Sequence, residues 1–170
     1  MPRRSRELEL TPELVALVER LEPDPGPEPG TDEHTDEELV DWAKAILDEE
    51  AGDRLYLFAY GSLIWKPDFE FEASQRATAS GWHRSFCMRI TRWRGTRDLP
   101  ALMMTLDRGG SCTGVLYKLP DRNHVDQVYR LLDREIDAKP ATNTPRWINI
   151  DTDTGRARAL AFVADRDGPA

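Results

Sequence analysis

Two stretches in the first fifty residues repeat their hydrophobic positions at helical spacing. Thr11 and Pro12 favour the start of the first helix. Its predicted apolar face comprises Leu14, Leu17, Val18 and Leu21. Thr35 and Glu38 have the spacing of a capping box at the start of the second helix. Its apolar stripe comprises Leu39, Trp42, Ala43, Ile46 and Leu47. The prolines and glycines of residues 23–30 predict a linker between the two helices.

From Arg54 onward the pattern changes to short, frequent runs of β-branched and aromatic residues, which are typical of strands. The runs ALMMTLD and SCTGVLYKL flank residues 108–110, which predicts an antiparallel hairpin turning there. A second hairpin is predicted at residues 153–155. One helical pattern interrupts the strands, with Asp121 as its N-cap and its end near Arg134. Many strands with one inserted helix predict an α+β domain built on a small mixed or antiparallel β-barrel.

Charge divides the chain into two parts. Residues 1–53 hold 17 Asp and Glu against 5 Lys and Arg, a net charge of −12, which leaves +4 for residues 54–170. The predicted organisation is an acidic helical arm over the first range and one domain over the second, since 170 residues can bury one sizeable core. The positive balance of the domain mildly favours a small anionic ligand.

The chain shows no signal peptide and no apolar run near the ~20 residues of a membrane span. We therefore expect a cytoplasmic protein with no membrane partner. Cys87 and Cys112 are too few for a disulfide framework and are predicted to be small apolar side chains in strands. The three histidines lack the spacing of metal ligands and have no implied serine or cysteine partner, so neither a metal site nor a catalytic triad is favoured.

The segment LFAYGSLIWKP is the most informative part of the chain for chemistry. Gly61 permits a tight turn after a strand, and consecutive main-chain amides in such a turn can form an anion site. Leu63, Ile64 and Trp65 are apolar and are expected to be buried. Without further context, a buried strand end whose glycine allows a bend is the preferred interpretation of the segment.

The run YGSLIWKPDFEFE resembles the entry motif of the ChaC family of gamma-glutamylcyclotransferases. It is followed, in the family's order and at similar spacing, by GWHRSFCMRITRWRGT, DRGGSCTGVLYKLP, LLDREI and PRWI. The resemblance covers roughly residues 23–170 and is specific because the motifs occur together. It implies an enzyme that cleaves glutathione to 5-oxoproline and cysteinylglycine without a cofactor.

The resemblance also implies roles for particular residues. The glutamate of the family's RE pair is Glu135, which would act as the catalytic acid and base. The family's YGSL turn places binding of the gamma-glutamyl group on Tyr60, Gly61, Ser62 and Leu63. Arg84 and Arg94 match recurrent family positions, and an arginine there could bind a substrate carboxylate.

Two features depart from the family pattern. Ala141, Thr142 and Asn143 stand near the place of a GGY-like triplet, and Ala170 ends the chain before the family's carboxyl-terminal helical section. A catalytically impaired gamma-glutamyl-binding module is therefore one alternative. The basic and aromatic residues of segment 81–97 leave a nucleic-acid-binding domain as another, although no nucleic-acid motif accompanies them and a nucleic-acid partner is not expected. The sequence does not indicate an oligomeric state.

Overall fold

The computed structural model describes residues 11–17, 25–50, 52, 54–92 and 95–166. Its helices are α1 (Pro12–Ala16), α2 (Asp36–Asp48), α3 (Ser62–Trp65) and α4 (His124–Glu135). Its strands are β1 (Tyr56–Ala59), β2 (Ala73–Ile90), β3 (Ala101–Lys118), β4 (Asn143–Thr152) and β5 (Gly155–Ala164).

The five strands form a closed barrel in the order β1-β3-β2-β4-β5. Neighbours pair antiparallel except where β5 meets β1 and β3 in parallel, at Leu57–Leu160 and Leu106–Val163. The predicted α+β class with a small mixed barrel and an inserted helix is confirmed. Because the barrel is closed, the short strand β1 has a paired strand on each side. This pairing fixes the position of the carboxyl end of β1.

Two hydrophobic clusters explain why the sequences of β1 and β5 contain consecutive apolar residues. Side chains alternate between the faces of a strand. Phe58 and Val163 belong to a cluster inside the barrel, whereas Leu57 and Phe162 belong to a cluster outside it, under α2 and α4. Both faces of these strands are therefore buried.

Helix α2 confirms the capping box predicted from the sequence. The Thr35 hydroxyl accepts a hydrogen bond from the Glu38 amide at 3.2 Å, and the Glu38 carboxylate accepts one from the Thr35 amide at 3.1 Å. Leu39, Ala43 and Ile46 of this helix are buried in the outer cluster beside α4. The helix thus contributes to the domain's core, and the division of the chain after residue 53 remains a prediction from composition.

The first predicted helix is described only in part. Helix α1 begins at Pro12, and the Leu14 amide donates to the Thr11 hydroxyl at 3.4 Å. Leu14 and Leu17 are exposed, while Val18 and Leu21 lie outside the described residues. Among the described residues, no helix is long and apolar enough to cross a bilayer.

The hairpin predicted at residues 108–110 is wrong, because residues 101–118 form the single strand β3. Gly109 and Gly110 have φ values of +103° and +69°, and the pairing register of β3 with β2 shifts between Ser80 and Trp82. The glycines therefore form a bulge that bends the strand instead of reversing it. The observed hairpin pairs β2, which ends at Ile90, with β3, which begins at Ala101, whereas the hairpin predicted at 153–155 is confirmed.

Three local expectations also need correction. Asn123, with φ +52°, is the N-cap of α4, and the Asp121 carboxylate instead accepts a hydrogen bond from Lys118 at 3.1 Å. Trp65 is 84% exposed because it ends the four-residue helix α3, which buries Leu63 instead. Cys112 is buried in β3 as expected, but Cys87 is exposed at a register shift of β2.

Candidate functional site

A cavity of about 380 Å³ lies where the chain leaves β1 and enters α3. Residues 60–63 form one side, and the apolar side chains of β2 and β3 form another. Glu135 at the end of α4 and Asn143 at the start of β4 complete the polar part of its lining. The volume suits a small molecule, since ligand sites are commonly 300–1,000 Å³ and largely apolar with a few converging polar groups.

Residues 61–63 of the turn from β1 into α3 line this cavity. The Ile64 amide donates to the Gly61 carbonyl and the Lys66 amide to the Ser62 carbonyl, both at 2.9 Å. The amides of Ser62 and Leu63 come first in the helix and have no intrahelical acceptor. The buried side chain of Leu63 anchors the turn in the outer cluster. A Cβ on Gly61 would lie 3.4 Å from Met104 Cε, so the turn approaches the β3 wall closely.

The side chain of Tyr60 connects the site to the barrel through its hydroxyl group. Its hydroxyl donates to the Phe162 carbonyl at 2.8 Å and lies 3.3 Å from the hydroxyl oxygen of Thr105. Burial raises the pKa of Tyr60 to about 12, so the phenol keeps its proton at neutral pH. Thus the hydroxyl acts as a fixed donor to the barrel, while Tyr60 joins the cavity lining at the base of the turn.

Glu135 is the last residue of α4 and lines the same cavity as the turn. Its side chain is 18% exposed, and burial raises the pKa of its carboxyl group above the ordinary value. The Arg134 guanidinium, 3.4 Å away, acts in the opposite direction. Arg134 also donates to the Lys66 carbonyl and to Asp68, so its charge is shared among several acceptors. A carboxylate with a raised pKa is better suited to exchange a proton near neutral pH.

Arg84 lies beneath the turn and is not part of the cavity lining. Its Nε donates to the Tyr60 carbonyl and its Nη2 to the Thr113 carbonyl, both at 2.7 Å. The guanidinium therefore ties the end of β1 to β3. Arg94, the other arginine predicted to bind substrate, lies outside the described residues.

Sequence reasoning did not identify Thr105 as a site residue or assign a role to Asn143, although both are buried. The Thr105 hydroxyl donates to Asn143 Oδ1 at 3.1 Å, and Asn143 Nδ2 lies 3.5 Å from the Glu135 carbonyl oxygen. The sequence signal that could have identified Thr105 is its position as a polar residue in the apolar strand run ALMMTLD. A polar side chain buried in such a strand requires a hydrogen-bond partner.

A larger depression of about 750 Å³ lies beside the first turns of α4. None of the site residues predicted from the sequence lines it. Within the described residues there is also no group of three or more histidine, cysteine or carboxylate side chains able to hold a metal ion. The smaller cavity is therefore the one that gathers the candidate chemistry.

The family model described as ChaC-like protein matches residues 55–170. The chain is 40% identical over 116 residues to a glutathione-specific gamma-glutamylcyclotransferase of Escherichia coli, covering 68% of this chain and 49% of that protein. It is 34% identical over 122 residues to mouse glutathione-specific gamma-glutamylcyclotransferase 1, covering 68% of this chain and 53% of that protein. The chain thus spans about half the length of these two curated relatives.

Solved structures share the fold at low sequence identity. A gamma-glutamyl cyclotransferase specific to glutathione from yeast superposes with a TM-score of 0.55 at 17% identity, over 66% of this chain and 69% of that one. YkqA from Bacillus subtilis superposes with a TM-score of 0.54 at 21% identity, over 73% of this chain and 45% of that one. Because the family model matches well over half of the sequence, this chain belongs to the ChaC-like protein family.

Proposed function

We propose that this chain cleaves glutathione to 5-oxoproline and cysteinylglycine, with Glu135 as acid and base. The observation that carries the proposal is one shared cavity. It brings the main-chain donors of residues 61–63 together with a largely buried carboxyl group of raised pKa. The names of the curated relatives, which are called glutathione-specific enzymes, support glutathione as the proposed substrate.

The turn is the proposed binding site for the gamma-glutamyl group. The alpha-carboxylate of that group is an anion, and the amides of Ser62 and Leu63 can give it charge-assisted hydrogen bonds. Main-chain donors are fixed by the fold, so they cost little to orient when the ligand arrives. Arg84 contributes through its bonds to the Tyr60 and Thr113 carbonyls, which hold the start of the turn.

Glu135 is the proposed proton carrier. The carboxylate takes a proton from the substrate's alpha-ammonium group, and the freed amine nitrogen attacks the gamma-carbonyl carbon. A carbon–nitrogen bond forms to close the five-membered lactam. The original gamma-amide carbon–nitrogen bond then breaks as Glu135 returns the proton to the departing amine of cysteinylglycine. The second proton that the lactam nitrogen must lose also passes through Glu135 to this amine, which leaves as an ammonium group. Both reacting groups belong to one molecule, so holding it in a folded conformation supplies much of the rate.

The test is to incubate the purified chain with reduced glutathione and measure 5-oxoproline and cysteinylglycine. Glu135→Gln should lower turnover by at least about 100-fold, since general acid–base catalysis contributes roughly 10²–10⁴-fold. Asp133→Asn is the matched control, because Asp133 is an exposed carboxylate two residues earlier that does not line the cavity. Its turnover should equal that of the parent.

Either of two results would contradict the proposal. A folded parent chain that releases no 5-oxoproline would remove the activity and favour the impaired binding module. A Glu135→Gln variant as active as Asp133→Asn would leave the activity but remove Glu135 as the base. The proposal includes a small-molecule ligand, no nucleic-acid or membrane partner, and the cytoplasmic location expected from the sequence.

A further inference from the structure

A line of buried polar groups crosses the barrel beneath the cavity. It begins at the Phe162 carbonyl, continues through the hydroxyls of Tyr60 and Thr105 and the side-chain amide of Asn143, and ends at the Glu135 carbonyl. Thr105 is 1% exposed and Asn143 is 4% exposed. Polar groups so deeply buried are costly unless their hydrogen bonds are satisfied, which restricts how the protons can be arranged.

The two carbonyls at the ends of this line determine the direction of its hydrogen bonds. A carbonyl can only accept, so the single Tyr60 proton goes to Phe162 at 2.8 Å. At the other end, the group of Asn143 that faces the Glu135 carbonyl must be the NH₂ group. Oδ1 of Asn143 consequently faces Thr105 and accepts that hydroxyl proton at 3.1 Å. Both hydroxyl protons are then used, so the 3.3 Å approach of the Tyr60 and Thr105 oxygens carries no hydrogen bond. The orientation of the amide is thus fixed by its neighbours.

This arrangement leaves one donor of Asn143 unused. Its NH₂ group has two hydrogens, and one is directed to the Glu135 carbonyl at the long distance of 3.5 Å. In the part of the chain that the structure describes, the NH₂ group makes no second hydrogen bond to the protein. Asn143 lines the cavity together with Glu135 and residues 61–63, so that hydrogen is available to a molecule bound there.

We infer that Asn143 donates this hydrogen bond to the gamma-carbonyl oxygen of the substrate and stabilises the negative charge that develops there. The inference rests on the proposed function. When the amine nitrogen attacks the carbonyl carbon, the π electrons of the carbonyl move onto its oxygen. They return to re-form the carbonyl when the leaving amine departs with the proton from Glu135. A donor oriented before the reaction stabilises this charge without reorganising.

Thr105 is a positioning residue in this scheme. It does not line the cavity, and it acts by holding Oδ1 of Asn143 so that the amide presents its NH₂ end. Without the Thr105 hydroxyl the amide could rotate and place an oxygen near the substrate carbonyl. A change at Thr105 should therefore affect turnover more than substrate binding.

The experiment measures kcat and KM for reduced glutathione across pH. Asn143→Asp keeps the size of the side chain but removes its donors, and kcat at the pH optimum should fall about 100-fold. The KM should stay within about threefold, because the bond strengthens only as charge develops. Comparison at each variant's own pH optimum separates this loss from any effect of the new carboxylate on the pKa of Glu135. Asn143→Ala is the second variant, in case the buried carboxylate prevents folding.

Asn149→Asp is the matched control, since Asn149 lies on the same strand with an exposed side chain. It should leave kcat unchanged. Thr105→Val should lower kcat about tenfold with little change in KM, whereas Thr105→Ser retains the hydroxyl and should recover most of the activity. Far-UV circular dichroism and thermal melts verify that each variant is folded.

The inference is overturned if folded Asn143 variants keep the parent kcat, or if they raise KM while kcat stays constant, which would indicate a contact equally strong before and during the reaction. Those results would leave the proposed function intact, provided that the parent is active and Glu135→Gln is not. A parent that forms no 5-oxoproline would overturn the proposed function and this inference together. Loss of kcat at nearly constant KM, with rescue by Thr105→Ser, supports the inference.

Discussion

Gly114 is a position where one added methyl group should have a large effect on the barrel. It lies in β3, next to β1, and its hydrogen takes the place of a side chain. A Cβ at Gly114 would lie 2.3 Å from the Ala59 carbonyl oxygen and 2.8 Å from Phe58 Cζ. Ordinary contact begins at 3.4 Å, so β1 would have to retreat by about 1 Å. No rotation of a side chain can relieve the clash, because the nearest atom belongs to the backbone.

The expected cost of Gly114→Ala follows from this geometry. Overpacking a well-filled core costs about 1–3 kcal/mol. In a chain of this size about 1 kcal/mol lowers Tm by roughly 2–4 °C, so Tm should fall by about 2–12 °C. Strand β1 leads directly into Tyr60 and the turn that lines the cavity. A displacement of about 1 Å there should lower kcat/KM for glutathione by as much as 100-fold, even below Tm.

The assay combines thermal and urea melts with 5-oxoproline release at 25 °C. Gly52→Ala is the control, since a Cβ on Gly52 has no contact within 4 Å and its backbone is not in the left-handed region. Its stability should stay within about 0.5 kcal/mol of the parent. A Gly114→Ala protein with the parent's Tm and activity would refute the argument that close β1–β3 contact positions the site.

Two further predictions concern charged residues at the site. Because burial raises the pKa of Glu135, ionising it in the folded state costs stability as pH rises from about 4.3 through the folded pKa. Glu135→Gln should therefore increase Tm at neutral pH, with a difference that shrinks towards pH 4 in melts of both proteins; an equal difference at all pH values would contradict the burial argument. Arg84→Leu should lower kcat/KM about tenfold with a smaller effect on Tm, because it releases the carbonyls of Tyr60 and Thr113 that hold the turn. Arg84→Lys, which keeps the charge but cannot bridge both carbonyls, should be equally impaired if bridging is what matters.

Local sequence signals predicted the elements whose boundaries are determined by contacts between residues close together in the sequence. The capping box at Thr35 and Glu38 determines where α2 begins, and the turn at residues 153–155 determines how β4 meets β5. Both depend on contacts within three or four residues. Such contacts can be read without knowing the rest of the fold.

The long β2–β3 hairpin could not be predicted in the same way. A glycine pair between two apolar runs is compatible with a reversing turn or with a bulge. The choice at Gly109 and Gly110 depends on the opposite strand, where Gly81 also has a positive φ of +87° and the register shifts. That information comes from residues almost thirty positions away in the sequence. Residues 73–80 of β2 were missed because this half of the strand alternates small polar side chains with Ala77 and Ala79.

The residues of the candidate site likewise fall into those that the sequence identified and those that required the structure. The resemblance to a family identified residues 60–63 and Glu135, and the fold brings them to one cavity. The link from Thr105 to Asn143 joins residues 38 positions apart and required the structure. Arg84 also illustrates the limit of sequence, because the resemblance to the family suggested that it binds a substrate carboxylate, whereas its guanidinium contacts two main-chain carbonyls.

The division of charge along the sequence has a structural explanation. Acidic residues of segment 28–50 form ion pairs with basic residues of the barrel domain, and Asp32 also exchanges two main-chain hydrogen bonds with Lys139. The ion pairs are Glu28–Arg97 at 3.4 Å, Glu33–Arg92 at 3.1 Å, Glu50–Arg158 at 3.3 Å, and Glu38–Lys139. Each exposed pair stabilises little, but two of them place acidic groups beside Arg92 and Arg97 of the segment that suggested a nucleic-acid surface.

The same pairing changes how the domain's positive balance should be interpreted. Arg92 and Arg97 face carboxylates of the chain itself, and Arg84 is bound to main-chain carbonyls. None of these three lines the cavity. The donors that do surround it are amides of the turn and the neutral side chain of Asn143, whose dipoles are fixed by the fold. Recognition of an anionic ligand would therefore depend on oriented dipoles close to its charge. The net charge of the domain carries no information about the orientation of these dipoles.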